Sequence, residues 1–171
     1  MIRFRQFHVP VLAFLLVMGL VSVAPAGLPR TGQAAPNFKV VTTSGQSVSL
    51  ENYRGHVLVI DFFAPWCLPC RDSTPHLVEM NRKYGKQGLQ VLGMNADDDG
   101  DRSIKSFADE FRINYPVAAA GEKVQSDFGI RSVPVMFVID KKGAVAEVYR
   151  GFNDEISRSM ERLIKRLLAE K

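Results

Sequence analysis

Ile60-Asp61-Phe62-Phe63-Ala64-Pro65-Trp66-Cys67-Leu68-Pro69-Cys70 is the stretch on which the reading of this chain turns. Residues 57–63 form an apolar run that reads as a buried strand. Ala64-Pro65 ends it, and a Trp-Cys-x-Pro-Cys turn follows into a helical pattern. Cys67 and Cys70 are the only cysteines among 171 residues. Two thiols three positions apart at a strand-to-helix junction can close a small disulfide ring and open it again. A disulfide across so short a loop restrains the unfolded chain little, so stability is not its purpose.

A thiol reacts as thiolate. Cys67 falls where a helix should begin, and there free N–H groups and the positive end of the dipole favour a negative sulfur. In such motifs the thiol pKa falls to roughly 3.5–7. Cys70, one turn further in, is expected to be shielded. Cys67 would then be attacked or attack first, and Cys70 would resolve the mixed disulfide. Pro69 suits an early helical position, where its missing N–H has no intrahelical partner. Trp66 offers a flat apolar wall beside the sulfur.

The length predicts one domain. The apolar fraction of 46% and charged fraction of 23% are those of a globular protein and not of a disordered one. The net charge of +4 includes Arg3 and Arg5. Without those two, 20 of the 22 basic residues face 18 acidic ones, which leaves +2. That excess is too small and too scattered to argue for nucleic acid.

Arg3 and Arg5 precede a mostly apolar run over residues 9–23, and Ala24-Pro25-Ala26 follows. This is the layout of a secretory signal peptide, with cleavage after Ala26. The same residues, extended to Leu28, are long enough for an uncleaved N-terminal membrane anchor. Residues 1–26 are therefore read as signal peptide or anchor, 27–35 as a linker, and 36–171 as the domain. In both cases the remainder is exported, to the periplasm or another extracytoplasmic space, free or held at the inner membrane. A free dithiol persists in such an oxidising compartment only if something reduces it.

Along the exported chain, residues 38–41 and 47–50 flank the hairpin signal Thr43-Ser44-Gly45-Gln46. A turn or short helix is expected over 51–55. The helix opened by the cysteines should run to about Lys86, with a kink at Pro75. A second buried strand is predicted over 89–96, and an aspartate of the run 97–101 can cap the next helix. Ile104, Phe107, Ala108 and Phe111 give that helix its apolar stripe. A short strand is expected over 116–120, a short helix over 124–128, and strands over 135–139 and 145–149 joined by Asp140-Lys141-Lys142-Gly143. Ile156, Met160, Leu163, Ile164, Leu167 and Leu168 place a last helix on the core. Strands alternating with helices, then a hairpin and a closing helix, give a mixed sheet with helices on both faces.

Residues 61–70 resemble the active-site signature of the thioredoxin superfamily. Ala35-Pro36-Asn37-Phe38, with Gly45-Gln46-x-Val48-x-Leu50, resembles the opening of its exported TlpA/ResA/CcmG-like branch, shared with the peroxiredoxins. Phe128-Gly129-Ile130-Arg131-Ser132-Val133-Pro134 resembles the segment carrying that family's cis proline, and Arg150-Gly151-Phe152 the glycine after its last strand. The likeness covers residues 33–171. It implies an α/β thioredoxin-like fold, a central mixed sheet of four or five strands flanked by helices, with an added N-terminal β-hairpin. It implies dithiol redox activity without a cofactor, and a cis Val133–Pro134 bond opposite the cysteines, where the Val133 backbone would pair with a substrate strand. Asp61 matches the buried aspartate of thioredoxin that takes the proton from the inner cysteine; a carboxyl buried there should have a raised pKa.

Two positions depart from the family pattern. ResA-like proteins of cytochrome maturation carry a glutamate three residues after the second cysteine, where this chain has Ser73. Thioredoxin places a lysine on the strand beside its aspartate, where this chain has Gly93. His76 could join the cysteines around a metal, but a fourth ligand is missing and it reads as a helix histidine. The aspartate run fails the EF-hand pattern, since Arg102 stands at the required glycine and Ala108 at the closing glutamate.

The expectation is an exported thiol-disulfide oxidoreductase. It would act on protein disulfides or dithiols as a monomer, more as reductant than oxidant, and be recharged by a membrane-embedded electron donor. The candidate site is Cys67, Cys70 and Asp61 for chemistry, and Trp66, Pro69, Val133 and Pro134 for binding, with no metal. Two alternatives are weighed. A thiol peroxidase would carry threonine three residues before its cysteine, where Ala64 stands. A metal-binding thiol module would space its cysteines more widely.

Overall fold

The computed structural model describes residues 27–98 and 100–170. The signal or anchor reading of residues 1–26 lies outside them, and among the described residues no helix is long and apolar enough to cross a membrane. The elements are β1 Lys39–Val41, β2 Ser47–Ser49, β3 Val57–Phe63, α1 Leu68–Tyr84, β4 Leu89–Asn95, α2 Gly100–Glu110, β5 Val117–Ala119, α3 Gly121–Asp127, β6 Val135–Ile139, β7 Val145–Arg150 and α4 Asp154–Ala169. Single 3₁₀ turns cover Leu50–Tyr53 and Gly85–Gln87.

Five strands form one mixed sheet in the order β5-β4-β3-β6-β7, with β3–β4 and β4–β5 parallel and β3–β6 and β6–β7 antiparallel. β3 sits at its centre, and all seven of its residues are buried. This is the strand the apolar run predicts, because a strand covered by helices on both faces has no wet side to encode. Val57, Val59 and Phe63 face one core with Leu77, Met80, Ile104, Phe107, Met160 and Ile164 from α1, α2 and α4. Leu58, Ile60 and Phe62 face a second core with the β1–β2 hairpin, Phe128 and Phe137.

The β5 edge and the start of the β7 edge carry a cover. The β1–β2 hairpin turns at Gly45, whose φ of 84° needs glycine. Thr42 bridges Ala118, and Thr43 N–H donates to the Val117 carbonyl at 2.9 Å, so the hairpin lies along β5. On the far side, the Gly32 and Ala35 amides donate to the carbonyls of Val145 and Gly143 at 2.8 and 2.9 Å. The stretch read as a linker thus adds to the start of β7.

α1 is one helix that contains Pro75. One boundary differs from the sequence-based expectation. α3 starts at Gly121, three residues before its predicted start, because no side chain caps it and so no capping signal marks it. Of the aspartate run, Asp99, which adjoins the first residue of α2, lies outside the described residues.

Gly93 in β4 is held small by its surroundings. A Cβ there would lie 2.9 Å from Val117 Cγ1 and 3.2 Å from Phe63 Cε1. Gly93→Ala should therefore cost about 1–3 kcal/mol through overpacking, read as a lower urea midpoint at unchanged slope. An unchanged midpoint would show that the β4–β5 edge gives way freely.

Candidate active site

The site starts where β3 hands the chain to α1. Cys67 is the N-cap of α1, with extended backbone (φ −78°, ψ 110°), and Pro69 occupies the first turn. The Cys70 N–H donates to Cys67 Sγ at 3.2 Å, so the sulfur fills the place an N-cap oxygen normally takes. The Cys67 carbonyl accepts from Cys70 and Arg71 N–H, both at 3.1 Å. Cys67 and Cys70 are joined by a disulfide with Cα atoms 5.2 Å apart. Cys70 is 0% exposed and Cys67 4%, which makes Cys67 the sulfur an incoming group can reach. Leu68, Pro69 and Trp66 stand outside it, exposed.

Trp66 does not hang free. Its Nε1–H donates to the Asp97 carboxylate. Asp97 in turn accepts from the Asp98 N–H at 2.8 Å, and its carbonyl accepts from Asn95 Nδ2 at 2.9 Å. The loop after β4 therefore orients the indole over the cysteine turn. Arg71 secures the same turn from the other side. Its guanidinium donates to the Pro65 carbonyl at 3.3 Å, pairs with Glu110, and lies 4.9 Å from the Phe111 ring centre. Neither Asp97 nor Arg71 was legible as a site residue. In the sequence Asp97 reads as part of a helix-capping loop, and no motif or spacing marks Arg71.

Asp61 lies beneath. It is paired in register with Gly93 on β4 and Met136 on β6. By the alternation of β3 it faces the same core as Val59 and Phe63, which also contains Cys67 and Cys70. The carboxyl is 1% exposed, and its Oδ1 has no hydrogen-bond partner among the described residues. Burial pushes its pKa up to about 7. The register places Gly93 where a lysine partner would stand, and the flank of Tyr115 occupies that side instead: Tyr115 Cε2 lies 3.5 Å from the position of a Gly93 Cβ. Burial, and then the Asp61 charge, raise the Tyr115 phenol well above its ordinary value. Tyr115 is another neighbour that sequence spacing did not reveal.

Opposite the cysteines, the Val133–Pro134 bond is cis. Three contacts hold the loop carrying it. Phe128 packs against Phe62 and Phe137 at ring-centre distances of 5.2 and 5.1 Å. α3 then closes with Ile130 N–H on the Gln125 carbonyl at 2.8 Å, the Schellman pattern, with Gly129 at φ 65°. Finally, Gly151 N–H donates to the Pro134 carbonyl at 2.9 Å. Gly129 has a second reason to be glycine: a Cβ would come within 2.7 Å of the Leu28 nitrogen. Pro134 is buried and Val133 half-buried. Between the loop and Trp66 lies a groove of about 230 Å³, lined also by Ala64, Ala96, Ile130 and Arg131. Trp66 and Val133 therefore share one surface, while Pro134 supports it from below.

Ser73 is fully buried, and its hydroxyl donates to the Cys70 carbonyl at 3.0 Å, as does Thr74 at 2.8 Å. It brings no charge to the site. His76 lies at the α1–α4 contact, within hydrogen-bond reach of Ser157 Oγ (3.1 Å) and against Phe152. Among the described residues no three candidate metal ligands cluster.

Comparison with known proteins agrees with this geometry. Residues 31–148 match the model of the AhpC/TSA family. The chain is 30% identical over 139 residues to the thiol-disulfide oxidoreductase ResA of Bacillus thuringiensis, covering 81% of this chain and 79% of that one. It is 26% identical over 123 residues to the thioredoxin-like protein YneN of Bacillus subtilis, covering 71% and 72%. Among solved structures it resembles a thiol:disulfide interchange protein of the DsbE type from Chlorobium tepidum, with a TM-score of 0.77 at 30% identity over 82% of this chain and 99% of that one.

The raised pKa of Asp61 has a measurable consequence. In the folded disulfide form the carboxyl holds its proton up to about pH 7, while in the unfolded chain it releases it near pH 4. Its contribution to stability is then fully present below pH ~4, declines as pH rises to about 7, and is flat above. The total loss is on the order of a few kcal/mol. Asp61→Asn should remove that slope and leave the oxidised protein more stable than wild type at pH 8. Urea denaturation of both proteins between pH 4.5 and 8.5 measures the difference.

Proposed function

The chain belongs to the AhpC/TSA family and is a thioredoxin-like thiol-disulfide oxidoreductase, and from that premise we propose that it is exported and reduces protein disulfides through Cys67. One observation carries the reading: the sulfur at the N-cap of α1 accepts a backbone N–H at 3.2 Å, on the core face to which β3 also turns Asp61, whose buried Oδ1 has no partner among the described residues.

The reaction follows from the placement of the groups. In the reduced protein the Cys67 thiolate is stabilised by the Cys70 N–H and the α1 dipole. It attacks one sulfur of a substrate disulfide, and the other leaves as a thiolate. The Cys67–substrate bond is then attacked by Cys70, which releases the second substrate thiolate and closes the Cys67–Cys70 ring. Two electrons pass to the substrate. Cys70 is buried and must lose its proton before attacking; Asp61, with a pKa near neutrality, is the base suited to take it. Val133 would pair its backbone with the substrate strand, Trp66 and Pro69 would flank it, and cis Pro134 would hold the pairing edge.

Export rests on the reading of residues 1–26 as a signal peptide or anchor. A monomeric reductant in an oxidising space needs its own electron source, and a membrane-embedded dithiol donor fits that need. A narrower role in cytochrome c maturation is supported by the likeness to proteins named ResA; Ser73, in place of the family's glutamate, weighs against it. The peroxidase alternative has no support at Ala64, which contributes only a backbone carbonyl to the Cys67 N–H at 3.1 Å.

Cys67→Ser should lose reduction of a test disulfide altogether, and Cys70→Ala should accumulate a covalent adduct on Cys67, visible by mass spectrometry. Activity surviving in Cys67→Ser would refute the assignment. The reduction potential of the couple gives the direction. A value near the thioredoxin end, about −270 mV, marks a reductant, and one near −120 mV an oxidant.

A further inference from the structure

The groove beside the cysteines has a polarity that the thiol chemistry does not use. Its walls are mostly apolar, Ala64, Trp66, Ala96, Ile130 and Val133, with the neutral polar Gln125 and Ser132, and among its lining residues Arg131 alone is ionised. The Arg131 side chain is exposed and makes no ion pair or hydrogen bond with the described residues. It also lines an adjoining hollow of about 250 Å³ that contains Arg150 at the end of β7, likewise without an ion pair there. Asp97, which holds the Trp66 indole on that groove, has its carboxylate engaged by the indole and by the Asp98 N–H. The backbone of residues 131–133 makes no backbone hydrogen bond to the described residues. An extended peptide paired there would lie with its side chains between an apolar wall and two uncompensated guanidinium groups.

We infer that Arg131, supported by Arg150, selects substrate segments carrying an aspartate or glutamate beside the reacting cysteine. The inference rests on the proposed function above and specifies the substrate class of the same site. The physical basis is charge complementarity. A carboxylate gains a guanidinium that has no competing partner, whereas a lysine at the same place meets two like charges. Solvent reaches both arginines, so the gain is modest and salt-sensitive.

The test uses the full exported domain in its reduced form and three disulfide-linked peptides that differ only in the residue next to one cysteine: Glu, Gln or Lys. Trp66 is the only tryptophan and adjoins Cys67, so its fluorescence follows oxidation of the protein. Wild type should react fastest with the Glu peptide and slowest with the Lys peptide, by at least about threefold between the extremes at low salt. The spread should shrink in 0.5 M salt and in Arg131→Gln, and reverse in Arg131→Glu. Equal rates with wild type, or the same order in folded Arg131→Glu, would overturn the inference. Bis(2-hydroxyethyl) disulfide, which is uncharged, separates the two levels. If wild type oxidises with it and yet ignores peptide charge, the selectivity is wrong and the thiol exchange stands. If wild type reacts with no disulfide at all, the underlying function is wrong.

Discussion

The N–H of Cys70 pointing at Cys67 Sγ is the contact on which the site depends. It exists only if the chain leaves β3 extended and enters α1 within four residues, so that Cys67 becomes the cap and Cys70 the third helical residue. That demand explains the rest. β3 must be buried on both faces to be rigid enough to aim the turn. Pro69 fits because no donor is needed there. Arg71 and Asp97 hold the turn from either side, on the Pro65 carbonyl and the Trp66 indole. The same geometry that caps a helix in most proteins here turns a backbone donor onto a sulfur.

Much of this was legible in the sequence because it is local. The apolar run 57–63, the two cysteines, the hairpin glycines and the stripes of α2 and α4 are written in neighbouring residues. The cis bond at Val133–Pro134 and the burial of Asp61 were also anticipated, though through likeness to a family and not through pattern. What escaped was the set of contacts between distant segments. Arg71 meets Glu110 across 39 positions, Trp66 meets Asp97 across 31, and Tyr115 reaches Asp61 from the loop before β5. No periodicity encodes such pairs. The early start of α3 escaped for another reason: Ala120 and Gly121 provide no capping side chain.

Gly93 and Ser73 show how one scaffold is tuned. At Gly93 a lysine has no room, since even a methyl would press on Val117 and Phe63. Asp61 is thereby left in an apolar, aromatic setting, and desolvation alone governs its proton. Ser73 returns its hydroxyl to the Cys70 carbonyl and reinforces the first turn of α1 without adding charge. Among the described buried residues Asp61 is the only carboxyl, with the Tyr115 phenol on its flank and the Ser73 and Thr74 hydroxyls turned to the Cys70 carbonyl.

The covering of the β5 edge and of the start of the β7 edge bears on pairing with other chains as well as on architecture. An edge strand left open can be extended by the strand of another chain. Here the hairpin lies on β5 and residues 32–35 on the start of β7. The backbone of residues 131–133, also unengaged by the described residues, is only three residues long. A chain pairing there would find few backbone donors and acceptors, so in the reaction proposed above the second thiol, not the sheet, would set when a substrate leaves.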